Sequence, residues 1–552
     1  MTESNPVIIH SPEDRGEGPI FDHAGEPQWI ERAFNVKPGL DPLGLQTFTI
    51  DRIMPRLVPS ILGLTRRARY FSFYSYLLSE YESLQLEPSN EGLSQFIKTR
   101  EYDYALAVLS CPKKCFEQTG GPIGSQRATP AIRSDLDALQ RGDSVESRLG
   151  GYGLYYRTPM AELGLAVRAG EPLGERSTPV DILFRSSRAS ALANRFRDAL
   201  GSTEYGTRYV RSLDPIPRDV LSEYAASMCL CSLDQSPVER LQLREILLGR
   251  RADLPPGETD QRRRSFAYIL RLLGTTPDIA SSESAMRDVI WNSFQEHRRE
   301  HTAVALTGAQ WAALIAKDVM QDGLSSIWKD VCALGLARQS DDGLSPAELD
   351  EMLAKELAGL SPLKVADDSI HFAPDIKTSE FVGLVVEASR NHPLETVRQW
   401  ANGEARAIAG LTLLSILFSR LDEIDDPPAG WIEIASQSSE RQPSVNRLRS
   451  QFADHMDDDP TVGETLSWIA KTSIIGPHEV IAYSKLPDFT FRFRWENGRL
   501  RFYPHGRGRF EVTDIRRDSI LMITRDLGYW DFEGVFGELT DEGSDYVREV
   551  LG

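Results

Sequence analysis

Residues 489–502 constrain the local fold more tightly than any other part of the chain. Aromatic residues alternate with polar or basic ones until Asn497-Gly498, the strongest short signal for a β-hairpin. Successive side chains of a strand point to opposite faces, so the aromatic residues before the turn should form one apolar face. They are Phe489, Phe491, Phe493 and Trp495.

The two-residue turn also predicts how the two strands pair. Arg492 and Arg494 should point away from the apolar face. Like charges directly opposite each other destabilise a sheet, so we expect an anion between guanidinium groups that face each other. The predicted pairs are Trp495 with Leu500, Arg494 with Arg501, and Phe493 with Phe502.

The length of 552 residues predicts about three domains. With 41% apolar and 26% charged residues, the composition is that of a soluble globular protein. The longest apolar run, residues 407–418, is too short to span a bilayer and indicates a buried helix. The first residues lack the basic start and apolar segment of a secretory signal. We therefore expect a cytoplasmic protein without membrane contact.

The net charge of −19 argues against a protein that coats nucleic acid without specificity. The charge is unevenly distributed, however. Residues 488–525 contain nine arginines against five acidic residues. A local basic site within a strongly acidic chain is therefore expected near the hairpin.

The order of predicted elements indicates a mainly α fold. We expect a multidomain helical protein with small winged-helix-like α+β units. Residues 1–45 are rich in proline, glycine and acids and indicate a tail or strap. Residues 46–250 should form an N-terminal mixed α/β domain, with a possible winged-helix-like unit at 150–200. A helical middle domain at 262–420 precedes a C-terminal winged-helix-like domain at 430–552, which carries the Arg-rich hairpin.

Several helices have recognisable starts or ends. Residues 64–78 predict a helix with its aromatic residues on one stripe. Capped starts are expected at Thr307 and Ser345, the latter with an acid three residues later. Gly528 should end a helix that begins near Thr513.

Two groups of arginines are candidates for binding nucleic acid. The first belongs to the hairpin and the segment after it, where guanidinium groups could lie along phosphates. The second leads the aromatic helix, where bases could stack. In both cases a structural alternative remains open, in which the arginines pair with acids or border a core. The residues are Arg492, Arg494, Arg501, Arg507, Arg509, Arg516 and Arg517, and then Arg66, Arg67 and Arg69.

Two patterns could in principle hold zinc. His297-Arg298-Arg299-Glu300-His301 spells H-x-x-E-H, which on a helix would place His297 and His301 one turn apart with Glu300 polarising water. Ordinary core histidines are the alternative, and no third ligand stands out.

Four of the five cysteines form two close pairs, and together they could supply four thiolates. The paired spacings, Cys111-x3-Cys115 and Cys229-x-Cys231, differ from the usual two-residue knuckles. The sequence therefore favours core cysteines, and we expect neither a metal nor another cofactor.

Short phrases spread over most of the chain resemble a family of uncharacterised bacterial proteins that are often encoded in phage-defence islands. Three stretches carry the resemblance: residues 64–73, residues 150–165 with Gly150-Gly151-Tyr152-Gly153, and the Arg-rich phrase 491–501. The resemblance implies membership in a multi-component defence system. It implies no catalytic residues.

These observations predict a non-enzymatic component of a bacterial, antiphage-type complex that binds DNA or RNA through its C-terminal basic hairpin and helix. Other protein subunits of that complex are expected partners. One alternative is a scaffold subunit that contacts proteins but no nucleic acid. The other is a zinc-dependent hydrolase that uses His297, Glu300 and His301.

Overall fold

The structure is a computed structural model of the whole chain. It describes residues 35–36, 41–84, 88–173, 176–249, 258–359, 363–365, 368–373, 375–404, 406–424, 427–437, 443–506, 508–533 and 536–552. The predicted tail at 1–45 lies almost entirely outside the described residues.

The fold is mainly α, as the sequence predicts. None of the described helices is both long enough and apolar enough to cross a membrane. The α-helices of at least eight residues are Arg69–Ser83, Asn90–Leu109, Ser125–Ile132, Ser187–Gly201, Arg218–Met228, Pro237–Leu248, Glu258–Thr275, Glu283–His297, Ala303–Arg338, Pro346–Lys355, Thr378–Ser389, Leu394–Glu404, Ala407–Asp422, Val445–Met456, Val462–Ile469, Gly476–Tyr483, Arg517–Asp526 and Asp541–Leu551.

The strands are short and pair only two at a time in the described residues. One pair is parallel, Asn35–Val36 with Asp488–Phe489. The antiparallel pairs are Ala138–Leu139 with Ile216–Pro217, Ala166–Val167 with Ile182–Leu183, Pro172–Leu173 with Arg176–Ser177, Leu363–Val365 with Asp368–Ile370, Phe493–Glu496 with Arg499–Phe502, and Trp530–Glu533 with Phe536–Leu539.

The chain divides into two compact units, each assembled from separate segments. The first contains residues 1–48, 316–424 and 436–512, and the second contains residues 49–315, 425–435 and 513–552. These boundaries differ from those of the four segments expected from the sequence. The residues expected to form one C-terminal domain are shared between the two units.

The core of the second unit is built on aromatic side chains. The predicted aromatic helix begins at Arg69, later than expected, and nearly all of its residues are buried rather than one stripe alone. Phe73 stacks on Tyr104 with ring centroids 4.6 Å apart, and Tyr70 packs against Tyr156. Aromatic pairs of this kind contribute stability beyond the apolar area that they bury.

In the first unit, the apolar run at 407–418 lies in the buried helix Ala407–Asp422, as predicted. The capping box at Ser345 is also confirmed, because the Ser345 hydroxyl accepts from the Glu348 amide and the Glu348 carboxylate accepts from the Ser345 amide. In the second unit, the helix start expected at Thr307 is wrong. Thr307 is buried inside the helix Ala303–Arg338, where packing overrides its capping preference.

The hairpin forms with the predicted register, including Arg494 opposite Arg501. The apolar face is only partly as expected. Phe489, Phe491 and Phe493 are fully buried, whereas Trp495 is 37% exposed. The chain bends at Arg492, so the alternation of faces is interrupted there and Arg492 turns into the interior.

Candidate metal centre

Two helix ends bring four cysteines together in the second unit. The helix Asn90–Leu109 ends just before Cys111, and Cys115 follows in the next turn. The helix Arg218–Met228 ends just before Cys229, and Cys231 lies in the 3-10 turn after it. Each turn departs from the helix before it, and this allows the four thiols to come together.

The four sulfur atoms lie within 4.8 Å of one another. The Sγ atoms of Cys111 and Cys231 are 3.7 Å apart, and those of Cys115 and Cys229 are 3.4 Å apart. A tetrahedral zinc ion with Zn–S bonds of about 2.3 Å holds its sulfur ligands roughly 3.8 Å from one another. The spacing therefore matches a four-thiolate site, and it is too long for disulfide bonds.

The surroundings favour a thiolate at this position. Contacts with the thiols of Cys229 and Cys231 lower the pKa of Cys115, and the nearby Arg67 guanidinium acts in the same direction. The contact between Cys115 and Cys229 raises the pKa of Cys229. A metal cation would lower the pKa of all four thiols, because only the thiolate is a ligand.

A buried arginine fixes the second cysteine turn. The Arg69 side chain is fully buried and donates to the carbonyl oxygen of Cys229 at 2.7 Å and to the Ser232 hydroxyl. It also forms an ion pair with Glu239 at 3.0 Å. Tyr104 donates to the carbonyl oxygen of Met228, one residue before the pair. The backbone that carries Cys229 is thus held in place by neighbours outside the cluster.

The sequence favoured core cysteines, and the burial of Cys111 and Cys229 agrees with that interpretation. Convergence of the four thiols was the less favoured alternative, and the structure places these four side chains together. Cys332 is buried in the first unit and takes no part in the cluster. The signal available in the sequence was the grouping of four cysteines in two close pairs.

The H-x-x-E-H pattern does not form the arrangement that its spacing suggests. The helix ends at His297, and Glu300 and His301 come after the turn at residues 298–299, so the two histidines do not share a helical face. The Nδ1 atom of His297 instead pairs with the Glu300 carboxylate at 2.8 Å. The structure therefore does not show the helical arrangement on which the zinc-hydrolase alternative depends.

The arginines of the hairpin make contacts within their own unit. Arg492 is buried and donates to the carbonyl oxygens of Gly506 and Phe491, and burial lowers its pKa to about 10. Arg494 and Arg501 both pair with Glu496 of the same hairpin. The anion expected between the facing guanidinium groups is therefore supplied by the chain itself.

The arginines after the hairpin are also engaged. Arg509 pairs with Asp322 at 3.3 Å, and Arg517 with Asp518. Arg516 is buried, donates to the carbonyl oxygens of Val58 and Ile61, and has its pKa lowered to about 10 by burial. Arg507 lies outside the described residues.

The three arginines near the aromatic helix occupy different environments. Arg69 is buried beside the cysteine cluster. Arg67 forms a buried, bidentate pair with Asp526 at 2.9–3.2 Å. Only Arg66 is substantially exposed, and it pairs with Asp518 at 3.3 Å.

A buried histidine beneath the hairpin makes the stability of the first unit depend on pH. The Nδ1 atom of His478 donates to the Pro42 carbonyl oxygen, and its Nε2 atom accepts from the Arg492 amide. Complete burial lowers its pKa to about 3. Protonation of Nε2 would bring its N–H against the N–H of Arg492. The hydrogen bonds of His478 therefore require the neutral imidazole ring.

Because the pKa of His478 is lowered on folding, its stabilising effect is present above pH 6.5 and is lost as the pH falls towards 3. Between pH 7 and pH 5 we expect wild type to lose about 2 kcal/mol more unfolding free energy than His478→Gln. Urea denaturation at both pH values measures the difference. Equal losses in the two proteins would contradict the assignment of this pH dependence to His478.

Comparison of the chain with protein-family models, with curated proteins and with solved structures finds no match. The conclusions about the site therefore rest on its geometry.

Proposed function

We propose that the protein binds one zinc ion through Cys111, Cys115, Cys229 and Cys231. The convergence of four sulfur atoms from two distant segments carries this proposal. Four thiolates in a tetrahedral arrangement are a typical ligand set for zinc. The chain supplies every coordination position, which leaves none for water or substrate, so the ion has a structural role. It connects the turn after the helix Asn90–Leu109 with the turn after the helix Arg218–Met228.

Metal analysis of the purified protein tests this proposal. We expect one zinc ion per chain in wild type and in Cys332→Ser, the matched control with its cysteine outside the cluster. Cys115→Ser/Cys231→Ser should lose the metal, since two ligands are not enough to retain it. Zinc content that the double variant leaves unchanged would contradict the proposal. Iron in place of zinc would assign the same ligands to a redox centre instead.

We also propose, as its wider role, that the chain is a non-enzymatic component of a bacterial defence-type complex and contacts nucleic acid. The local excess of arginine in an acidic chain supports it, together with the pairing of Arg494 with Arg501 across the hairpin. The side chains of these two arginines are 23% and 26% exposed. Both pair with the carboxylate of Glu496, and partly exposed ion pairs contribute little to stability, so a phosphate group can compete with that carboxylate.

Replacing Arg494 and Arg501 together by glutamate tests this role. We expect wild type to bind short DNA or RNA with an affinity that falls steeply with salt, and the double variant to bind more weakly with a smaller salt slope. Arg208→Glu/Arg548→Glu is the matched control, because it makes the same charge change at exposed positions elsewhere. Absence of binding by wild type at low salt would favour the scaffold alternative.

A winged-helix-like arrangement remains part of this proposal for two segments. Around residues 157–201, a short helix, an antiparallel hairpin and the helix Ser187–Gly201 follow one another. Around residues 517–551, the order is again helix, hairpin and helix. This order supports the proposal and agrees with docking of a helix and a wing on a duplex.

A further inference from the structure

A cavity of about 480 Å³ opens in the second unit, beside the segment that follows the first cysteine pair. Its walls come from the residues just before and at the start of the aromatic helix, from the loop and helix start at 121–127, and from Tyr155 and Tyr156. Cavities of this size hold small organic ligands. Neither the zinc proposal nor the hairpin accounts for it.

The cavity is richer in arginine than the chain around it. Three arginines line it, Arg66, Arg67 and Arg127, against the single carboxylate of Glu146. Each of the three also pairs with a carboxylate, that of Asp518, Asp526 or Glu146. A concave site that gathers guanidinium groups in a chain with a net charge of −19 suits a small anion that can take the place of these carboxylates.

Two of these arginines are available to a ligand. The side chains of Arg66 and Arg127 are 44% and 41% exposed, and each makes one ion pair with an exposed carboxylate. Exposed ion pairs contribute roughly 0–1 kcal/mol, so a phosphate group can compete for these guanidinium groups at little cost. Arg67 is held by Asp526, which balances its charge, so it forms part of the cavity wall and is not proposed to hold the phosphate.

The remaining walls suit a phosphate attached to an aromatic group. The helix Ser125–Ile132 begins at the cavity after Gly124, whose φ of +83° suits glycine, and the first turn of a helix favours an anion. Tyr155 lines the cavity and is partly exposed, so it can contact a ligand there. A tyrosine ring beside guanidinium groups is a combination that stacks nucleobases and holds their phosphates.

We propose that this cavity binds a nucleoside phosphate, with the phosphate on Arg66 and Arg127 and the base against Tyr155. The ligand is either a free nucleotide or the terminal nucleotide of a single strand, since both present the same chemistry. The start of the helix at Ser125 adds to the positive field around the phosphate.

Isothermal titration of the full chain tests the proposal with ATP, AMP, adenosine, pyrophosphate and a five-nucleotide DNA with or without a 5′-phosphate. We expect saturable binding of the phosphorylated nucleosides, at least tenfold tighter than that of adenosine or pyrophosphate. If the 5′-phosphorylated strand binds more tightly than AMP, the ligand is the end of a nucleic-acid strand. If AMP binds more tightly, the ligand is a free nucleotide.

Variants locate the binding in the cavity. Arg66→Met/Arg127→Met should weaken nucleotide binding at least tenfold, whereas Arg133→Met/Arg185→Met, exposed arginines that do not line the cavity, should leave it unchanged. Tyr155→Leu should weaken binding of AMP but not of pyrophosphate. Unchanged melting temperatures and zinc contents would exclude misfolding. Absence of nucleotide binding by wild type, or equal binding by the Arg66/Arg127 variant, would overturn the proposal.

Discussion

Replacing Cys229 by serine is expected to abolish zinc binding and to lower the unfolding free energy of the second unit on the order of 5 kcal/mol. Structural zinc binds the folded chain and hardly binds the unfolded one, so its binding energy of about 10 kcal/mol or more contributes directly to stability. The loss of unfolding free energy is smaller than this binding energy, because the stabilisation depends on the ratio of the free zinc concentration to the dissociation constant. The cluster joins residues 114 and 120 positions apart, so the ion also closes long loops of chain.

Denaturant unfolding with and without a strong zinc chelator measures this effect. The chelator should destabilise wild type to about the level of Cys229→Ser and should not affect the variant further. Cys332→Ser is the control, since Cys332 is buried outside the cluster. It should lose a little stability from its changed packing and remain as sensitive to the chelator as wild type. If the chelator does not change the unfolding free energy of wild type, the protein holds no structural zinc ion.

The second large effect is expected from Arg69→Met. Arg69 is fully buried, and its partner Glu239 is 4% exposed. Methionine retains most of the side-chain volume but leaves the Glu239 carboxylate buried without its cation. Breaking a buried pair from one side costs about 3–5 kcal/mol. The variant also loses the hydrogen bond to the Cys229 carbonyl oxygen, so we expect weaker zinc binding as well.

A double-mutant cycle separates these contributions. Arg69→Met/Glu239→Leu removes both charges and should recover most of the unfolding free energy, because no buried charge remains unpaired. Zinc affinity, measured by competition with a chelating dye, should stay reduced in the double variant, since the contact with Cys229 is still missing. Arg185→Met, at an exposed surface position, should change neither quantity. Equal stability of wild type and Arg69→Met would show that Glu239 does not need its partner.

Features governed by neighbouring residues could be predicted from the sequence. Asn497-Gly498 specified a two-residue turn, and the register of the hairpin followed from it. Gly528 follows the end of its helix as expected, and Ser345 caps the helix Pro346–Lys355. In each case, the backbone geometry depends on contacts within a few positions along the chain.

The site could not be predicted in the same way, because it depends on contacts between distant segments. Whether Cys111 meets Cys231 depends on how two helix ends pack, and no local rule describes that packing. The same applies to the arginines, which the sequence marked as an anion-binding group. In the folded chain, Arg494 and Arg501 pair with a carboxylate of their own hairpin, and Arg492 is buried. The sequence by itself therefore determined the turns, caps and strand register, which arise from short-range geometry. Only the tertiary structure decided which thiols converge and which charges stay exposed, since burial and pairing depend on packing across the whole unit.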